Sequence, residues 1–568
     1  MISAAAVQPR AQRQAAWIAA LLGALFACWL YGSRVIDPRS AAWLMQGDPA
    51  QHYVGSAFFL AEPWHWPPGR IDGFGEEPTS VVFTDSVPIA AFSAKLFGVP
   101  AGLQYFGLWM VLCHALSGWA GARLLGRIRP AGRIQTASAA LFFVAAPVLL
   151  LRAYGHEALM AQFLVVAALE RALAPWRWGP WLLLAVVATL VHPYLALMVC
   201  TLGAAAAMAA IQAKELPAAR AAGEAIASLA LLWAVAWCAG YFVGSGEVSA
   251  AGHGFYSANA LTWLDPMDWR HFRRDDPDLL ATEREWSRWW PAMPQATGGQ
   301  YEGFAYLGAG LLAACAIALA MRVRTPHARA VQGAAASIPA ARWWALGSAC
   351  AFLALWALSA RASVGAWMLP EVPLPEGVRK LLGVFRASGR FIWPATYLLM
   401  GVVIASVLRL RAAVWLVPVL LLVQLGDLQA KLREFRVRFR SGPPHIEAPV
   451  RDPAWRAALQ RCPRLELVSA AEAPAKWAAA ALVAAESGAR FHPAPTARRS
   501  AEAAAARQKA VEDLLASNRW KPGTVYALSP PLPGGRTPAS VAAGLPAGFR
   551  LTEADGYARV LPAACEGR

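Results

Sequence analysis

The sequence predicts a mostly helical protein, a polytopic bundle of transmembrane helices followed by a small soluble α/β domain. Three observations indicate this fold class: the composition, the length of the apolar runs and the position of the basic residues. Of the 568 residues, 57% are hydrophobic and 15% are charged. Because soluble proteins carry about 25% charged residues, this chain has too little charge to cover a water-exposed surface.

The apolar residues are grouped in uncharged runs, and about 18 residues is the length that crosses a bilayer as a helix. Eight runs have about this length and a ninth is shorter: 17–33, 101–122, 134–151, 194–211, 225–243, 304–321, 343–360, 391–408 and the shorter 412–426. Two further runs, 158–169 and 178–191, are nearer the length of re-entrant segments. The sequence therefore predicts eleven helices if both cross the membrane and nine if neither does. The stretch 86–99, interrupted by Lys95, is predicted to be an interfacial or re-entrant element.

The basic residues separate the apolar runs and so indicate the orientation of the chain. The net charge of +17 could favour nucleic acid as a partner, but the basic residues do not form one face, and we expect no nucleic-acid binding. Lys and Arg accumulate in short cytoplasmic loops. The basic loops 123–133, 214–220, 322–342 and 409–411 fall on one side if the N-terminus is cytoplasmic. The C-terminus then lies on the outer side.

Two regions follow from this topology. Residues 1–428 are predicted to form the transmembrane domain, with large outer loops at 34–99, 244–303 and 361–390. Residues 429–568 are predicted to form a soluble extracytoplasmic domain, because the composition there shifts to charged and Pro-rich.

The soluble domain is predicted to be α/β because strand-like and Ala-rich helical segments occur together: strands at 465–468 and 524–528, helices at 475–487 and 500–515. Cys462 and Cys565 both lie in it, and an outer location would permit a disulfide between them. The other six cysteines fall in apolar runs, where we expect them to fill the core.

The first outer loop holds three candidate catalytic residues. In its GDPAQHY segment, Asp48 suits a helix N-cap and Gln51 completes a capping-box pattern. This structural interpretation does not explain His52, which lies one turn beyond Asp48 on the same helix face. Asp85 stands at the lip of an apolar element, where it is either a helix cap or a carboxylate that faces a cavity.

Ionisable residues recur beside later apolar runs. Arg152, His156 and Glu157 stand where a helix meets the outer surface, and a helix would place Arg152 and His156 on one face. His192 interrupts an apolar run, and Glu302 lies in a Gly-rich segment at the membrane interface. Ionisable groups at membrane depth usually face a cavity or pathway. A hydrogen-bonded structural role for His192 and an interfacial aromatic belt around Glu302 are the alternatives.

The segment FRASGRFIWP places Arg386 and Arg390 one turn apart at an outer helix end. The positive-inside rule would deplete arginine there. Paired guanidinium groups suit bidentate binding of a lipid phosphate or pyrophosphate. The alternative is that both side chains snorkel to lipid headgroups.

These motifs together, GDPAQHY, FTDS, RAYGHEAL, HPYL, GGQYEGFAYLG and FRASGRFIWP, resemble in order an uncharacterised family of bacterial polytopic membrane proteins. That family is grouped with the GT-C glycosyltransferase superfamily. The resemblance covers residues 48–394, and the segment 491–498 of the tail is loosely similar to the family's C-terminal domain. It implies a GT-C-like fold in the bacterial inner membrane, with a periplasmic C-terminal domain.

The resemblance also implies an activity. GT-C enzymes move a sugar from a polyprenyl-phosphate carrier to an acceptor on the outer face, here a glycan or protein of the cell envelope. Asp48 would be the base or the ligand of a divalent metal (Mg or Mn), and Asp85 is the second carboxylate. Arg386 and Arg390 would hold the lipid phosphate.

The remaining candidates complete the predicted substrate-binding set: Arg152, His156, Glu157, His192 and Glu302. Membrane lipids are further expected partners. Two other functions stay open, a transporter or flippase of a lipid-linked saccharide and a scaffold for envelope assembly. The helices' near lack of charge favours the enzyme over the transporter, which needs a polar path across the membrane.

Overall fold

The structure is a computed structural model, and it describes residues 4–244, 252–268, 285–324, 338–441, 449–471, 476–494 and 501–566. Parts of the predicted outer loop 244–303 and of the tail segment 491–498 lie outside the described residues, as do part of the basic loop 322–342 and the starts of both predicted tail helices. The described chain is mostly helical. Its α-helices are α1 (Ala4–Tyr31), α2 (Ser33–Ile36), α3 (Gly47–Ala61), α4 (Pro88–Leu96), α5 (Phe106–Ile128), α6 (Arg133–Val144), α7 (Pro147–Leu150), α8 (Phe163–Ala172), α9 (Trp178–Thr189), α10 (Pro193–Gln212), α11 (Ala218–Ala239), α12 (Ala309–Arg324), α13 (Ala340–Leu358), α14 (Glu376–Gly383), α15 (Trp393–Val407), α16 (Ala413–Asp427), α17 (Gln429–Ser441), α18 (Pro453–Arg461), α19 (Trp477–Glu486), α20 (Ala501–Ser517) and α21 (Pro538–Ala543).

The strands are short and concentrate in the tail. They are β1 (Arg70–Ile71), β2 (Thr79–Ser80), β3 (Ser363–Val364), β4 (Trp367–Met368), β5 (Arg464–Val468), β6 (Arg490–His492), β7 (Val525–Leu528), β8 (Phe549–Ala554) and β9 (Tyr557–Pro562). The last five form one sheet in the order β6-β5-β7-β9-β8. The prediction of a small C-terminal α/β region is confirmed.

Six helices in the described residues are long and apolar enough to cross a membrane: Arg10–Tyr31, Phe106–Ile128, Pro193–Gln212, Ala218–Ala239, Ala340–Leu358 and Ser388–Val407. Two bent pairs raise the number to eight if each is one span: Arg133–Val144 with Pro147–Tyr154, bent by 46°, and Ala413–Asp427 with Gln429–Ser441, bent by 60°. The chain thus has the helices of a membrane protein. Their number is below the nine or eleven expected from the apolar runs.

The difference arises where an apolar run is only partly helical. The run 158–169 begins in a 3-10 turn and continues as α8, which has 10 residues, and the run 178–191 gives α9 with 12. The run 304–321 becomes helical only at Ala309, after Gly308 in the left-handed region (φ +86°). The 16 residues of α12 rise about 24 Å, less than the roughly 30 Å of a hydrocarbon core.

One compact unit comprises Met1–Ser33, Leu108–Leu232 and Ser249–Arg440. Its helices approach closely at glycines. A Cβ atom added at Gly23 would lie 2.4 Å from the His114 carbonyl oxygen, and one at Gly118 would lie 2.4 Å from that of Ala19. Small residues at such contacts let helix backbones pack in lipid, where no hydrophobic effect drives helices together.

The second compact unit comprises Arg34–Gly107, Trp233–Val248 and Ser441–Arg568. The first outer loop and the tail therefore fold together: the Ala-rich α19 packs against α3. Phe491 of β6 donates its N–H to the Gly73 carbonyl (2.8 Å) and accepts from the Gly75 N–H (3.0 Å), so the loop extends the sheet edge. The domain boundary at residues 428/429 stays a prediction.

Cys462 and Cys565 form a disulfide, with Cα atoms 5.7 Å apart. It links the end of α18 to the end of the tail. This is the disulfide that the sequence analysis gave as possible. The remaining six cysteines carry free thiols.

We expect this bond to be present in protein purified without reductant. Under denaturing alkylation, reduction should add two alkyl groups to the wild type and none to a C462S/C565S variant, as read by intact mass. Because the bond constrains the unfolded tail, its loss should lower the free energy of unfolding by about 2–4 kcal/mol. Alkylation of all eight cysteines without reductant would contradict the assignment.

Candidate functional site

A buried charge cluster lies in the first unit, centred on Glu302. This residue sits in the 3-10 turn Gln300–Gly303, and Arg390 sits in the 3-10 turn Ser388–Ile392. The two turns, each with one glycine, touch backbone to backbone: a Cβ atom at Gly389 would lie 2.7 Å from the Cα of Gly303. Side chains at these positions would force the turns apart, so the glycines allow Glu302 and Arg390 to meet.

Two guanidinium groups donate hydrogen bonds to the Glu302 side chain. Arg390 makes a two-point contact, Nη2 to Oε1 at 2.6 Å and Nε to Oε2 at 2.9 Å. Arg152 donates from Nη1 to Oε2 at 2.7 Å and from Nη2 to the Glu302 carbonyl at 2.9 Å. All three residues are buried, with at most 7% of their surface exposed. Such charge-assisted, bidentate contacts are among the strongest in proteins.

The cluster carries a net positive charge, since two guanidinium groups face one carboxylate. Burial raises the pKa of Glu302, but the charges of Arg390 and Arg152 outweigh it and hold the pKa well below its usual range. For His192, burial and then the charges of Arg390 and His156 lower the pKa, so the imidazole is neutral. Its Nδ1 accepts the Tyr194 N–H at 3.2 Å and caps α10. The structural role considered for His192 is therefore observed.

The same cluster holds polar atoms that lack a partner. Within the described residues, Arg152 Nε and Ser388 Oγ are buried and make no hydrogen bond. Leaving such groups unsatisfied costs about 1–3 kcal/mol each, and more when charged. The arginines are held by aromatic faces, Arg390 4.7 Å from the Tyr194 ring centre and Arg152 5.2 Å from that of Trp393. The site therefore suits an anionic or strongly polar ligand. The sequence analysis did not single out Ser388, although it lies in the same motif as Arg390.

The predicted pairing of Arg386 with Arg390 is wrong. Ala387 between them is not helical (φ −89°, ψ 60°), so one-turn spacing does not put them on one face. Arg390 is buried against Glu302, whereas Arg386 is exposed and lies 5.7 Å over the Tyr256 ring. No described carboxylate forms an ion pair with Arg386.

Arg152 and His156 do not share a helix face either, because no single helix contains them. Arg152 lies in the 3-10 turn Leu151–Tyr154, and His156 precedes the next turn. His156 is nonetheless near the cluster, since its charge contributes to lowering the pKa of Glu302. Glu157 is buried, and its backbone carbonyl accepts a hydrogen bond from the Trp109 indole at 2.9 Å.

The second unit holds the three predicted catalytic residues. Helix α3 begins at Gly47 with Gln46 as N-cap and without a side-chain cap bond, so the predicted cap at Asp48 is wrong. Gln51 donates to the Phe83 carbonyl at 3.2 Å and does not close a capping box. Asp48 is exposed in the first turn, and a carboxylate there is stabilised by the helix dipole.

His52 is buried and directs Nε2 to Asp85 Oδ2 at 3.5 Å. Asp85 and Val87 both adopt left-handed backbone (φ 52°), which is rare for a β-branched residue such as Val87. Ser86 between them donates to the His52 carbonyl at 2.9 Å and accepts from the Tyr105 hydroxyl, and these bonds hold the segment. Helix α4 has Val87 as its N-cap without a side-chain bond, so the cap alternative for Asp85 is wrong.

This arrangement brings an imidazole and a carboxylate together. A nitrogen and an oxygen 3.5 Å apart form an ion pair when the imidazole is protonated, and together they could bind one divalent cation. The mixed nitrogen and oxygen donors fit Mn²⁺ better than Mg²⁺, which prefers oxygen. Tyr241 was not singled out from the sequence, yet burial and then the charge of Asp85 raise the pKa of its phenol. Backbone strain persists where surroundings enforce it, often at functional sites.

We expect E302Q to destabilise the protein by roughly 3–5 kcal/mol, because two buried guanidinium groups lose their counter-charge. A denaturant titration in detergent micelles measures this loss. The matched control is E371Q, which breaks the exposed Arg361–Glu371 pair (58% and 50% exposed) and should cost less than about 1 kcal/mol. Equal effects of the two substitutions would mean that the cluster is not held together by Glu302.

The chain matches two protein-family models, and no curated protein matches it. Residues 20–429 match the family model described as Domain of unknown function (DUF6311), and residues 454–562 match the model described as DUF6311 C-terminal domain. Since the first match covers most of the chain and the second covers the tail, this protein belongs to the DUF6311 domain family.

Proposed function

We propose that this protein is a GT-C-type membrane glycosyltransferase that moves a sugar from a polyprenyl-phosphate carrier to an acceptor of the cell envelope. The observation that carries the proposal is the buried, net positive cluster of Arg152, Glu302 and Arg390. Arg152 lies near the end of one candidate span and Arg390 near the start of another. A cationic site at a helix end is well suited to a lipid phosphate.

In this mechanism Arg390 and Ser388 bind the carrier phosphate, and Glu302 keeps both guanidinium groups in place. The uncompensated positive charge then stabilises the phosphate as it leaves the anomeric carbon, which is electrostatic catalysis by a preorganised site. The exposed Arg386 attracts the carrier phosphate before the phosphate reaches Arg390 and Ser388. His192 stays neutral and caps α10.

The carboxylates supply the base. The acceptor hydroxyl attacks the anomeric carbon, the bond from that carbon to the phosphate oxygen breaks, and the hydroxyl proton passes to a carboxylate. Asp48 fits by its position in the first outer loop, and Asp85 fits by its pairing with His52. A divalent cation bound by these residues would supply Lewis acidity for the acceptor oxygen.

The tail supports an outer location for this chemistry. A disulfide such as Cys462–Cys565 persists in oxidising compartments and is rare in the cytosol. The disulfide favours a periplasmic C-terminal domain, and we propose with it a cytoplasmic N-terminus and a polytopic domain in the bacterial inner membrane. An envelope acceptor would be reached from that side.

A transporter or flippase of lipid-linked saccharides is the second candidate. The two bent helix pairs favour it, because discontinuous helices often line substrate pathways. A transporter needs the arginine cluster but no base, and a scaffold for envelope assembly needs neither. The carboxylates of the first outer loop therefore separate the three functions.

The test is a lipid-linked glycan analysis of membranes from a deletion strain complemented with wild type or variants. We expect accumulated polyprenyl-phosphate sugar that wild type relieves and that D48N or D85N does not, because loss of a catalytic base lowers rates about 10²–10⁴-fold. D37N is the matched control, since Asp37 is an exposed aspartate of the same loop. It should complement fully.

Three outcomes distinguish the functions. Unchanged lipid-linked pools in the deletion strain would exclude the transferase. If D48N and D85N both relieve the accumulation of polyprenyl-phosphate sugar and R390Q does not, transport is favoured. Full complementation by D48N, D85N and R390Q would leave the scaffold.

A further inference from the structure

A groove lies between helices α1, α16 and α17 of the first unit. Its volume is about 570 Å³. Its wall is formed by Phe26, Trp29, Leu425, Gln429, Leu432, Arg433 and Arg436. One side of this α1–α17 groove is apolar and the other presents two guanidinium groups, so it offers a site for an amphipathic ligand.

The two arginines of the groove are not neutralised. Within the described residues, Arg433 and Arg436 form no ion pair. Arg436 Nε is buried without a hydrogen-bond partner, and its guanidinium lies 4.7 Å over the Trp29 ring. Lys431 of the same helix is already paired with Glu434 at 2.8 Å. The groove therefore has positive charge available to an anion.

The position of the groove indicates a membrane ligand. Phe26 and Trp29 lie in the last two turns of the candidate span Arg10–Tyr31, and tryptophan concentrates at headgroup level. Helix α17 turns 60° away from α16 and is amphipathic, burying Leu432 while it exposes Arg433. Amphipathic helices rich in arginine lie in the interfacial plane of a bilayer. Phosphates and acyl chains of lipids meet at this depth.

We propose that the α1–α17 groove binds one anionic phospholipid. Arg433 and Arg436 hold its phosphate, and an acyl chain packs against Phe26, Leu425 and Leu432. The buried Nε of Arg436 argues against simple snorkelling, which would leave the guanidinium head in water. Basic pockets between transmembrane helices bind anionic lipid headgroups in this way. The site is independent of the glycosyltransferase proposal, because it uses none of its residues.

Native mass spectrometry of the full chain in detergent tests this site. The chain is titrated with phosphatidylglycerol or with phosphatidylcholine of the same acyl chains. We expect R433Q/R436Q to bind phosphatidylglycerol about 30-fold more weakly, since each interfacial arginine contributes about 1 kcal/mol. Binding of phosphatidylcholine should fall less, because its choline offsets the charge of its phosphate. R461Q/R519Q is the matched control, because it removes the same charge from exposed arginines of the tail. It should bind as wild type does.

Additional variants distinguish the loss of lipid binding from other effects of the substitutions. R433K/R436K should retain most of the affinity, because lysine still binds phosphate as a point charge. If R433Q/R436Q fails to fold, each single variant should lose about 5-fold. Unchanged phosphatidylglycerol binding in the glutamine variants, or an equal loss in the tail control, would overturn the proposal. Displacement of the lipid by an equal concentration of inorganic phosphate would show a free-anion site and overturn it as well.

Discussion

The need to neutralise buried charge is the constraint on which the first unit depends. Glu302 lies between Arg152 and Arg390, and each pairing joins segments far apart in the chain, 150 and 88 residues. An isolated charge at this depth would cost several kcal/mol. The cluster therefore fixes how three 3-10 turns meet, and the glycines at 303 and 389 make that meeting sterically possible.

The same constraint is only partly met inside the cluster. One carboxylate cannot balance two guanidinium groups, and the unsatisfied polar atoms of Arg152 and Ser388 add to the imbalance. In a purely structural ion pair, we expect the charges to cancel and every buried polar atom to have a hydrogen-bond partner. The residual positive charge is the reason why we propose a phosphate ligand. The His52–Asp85 pair in the other unit is different, because left-handed backbone at Asp85 and Val87 lies beside an imidazole–carboxylate contact.

The sequence predicted the helical membrane class, the tail strands near 465–468 and 524–528, and most residues of the charge cluster. These predictions rest on local patterns, apolar length and strand propensity, which tertiary contacts do not override. It did not predict that Arg386 and Arg390 separate, since a helical spacing was assumed across Ala387, where the backbone is not helical. The Arg152–Glu302 contact has no local signal, because a pairing across 150 residues depends on the assembled bundle.

We propose that the arginine cluster is a phosphate site. A cryo-electron microscopy structure of the full chain in lipid nanodiscs with an added polyprenyl phosphate tests it directly. If the cluster binds phosphate, phosphate density should lie within hydrogen-bonding distance, about 2.7–3.2 Å, of Arg390 and Ser388. A polyprenyl phosphate bound only elsewhere, with Arg152, Glu302 and Arg390 unchanged and only water beside them, would contradict it.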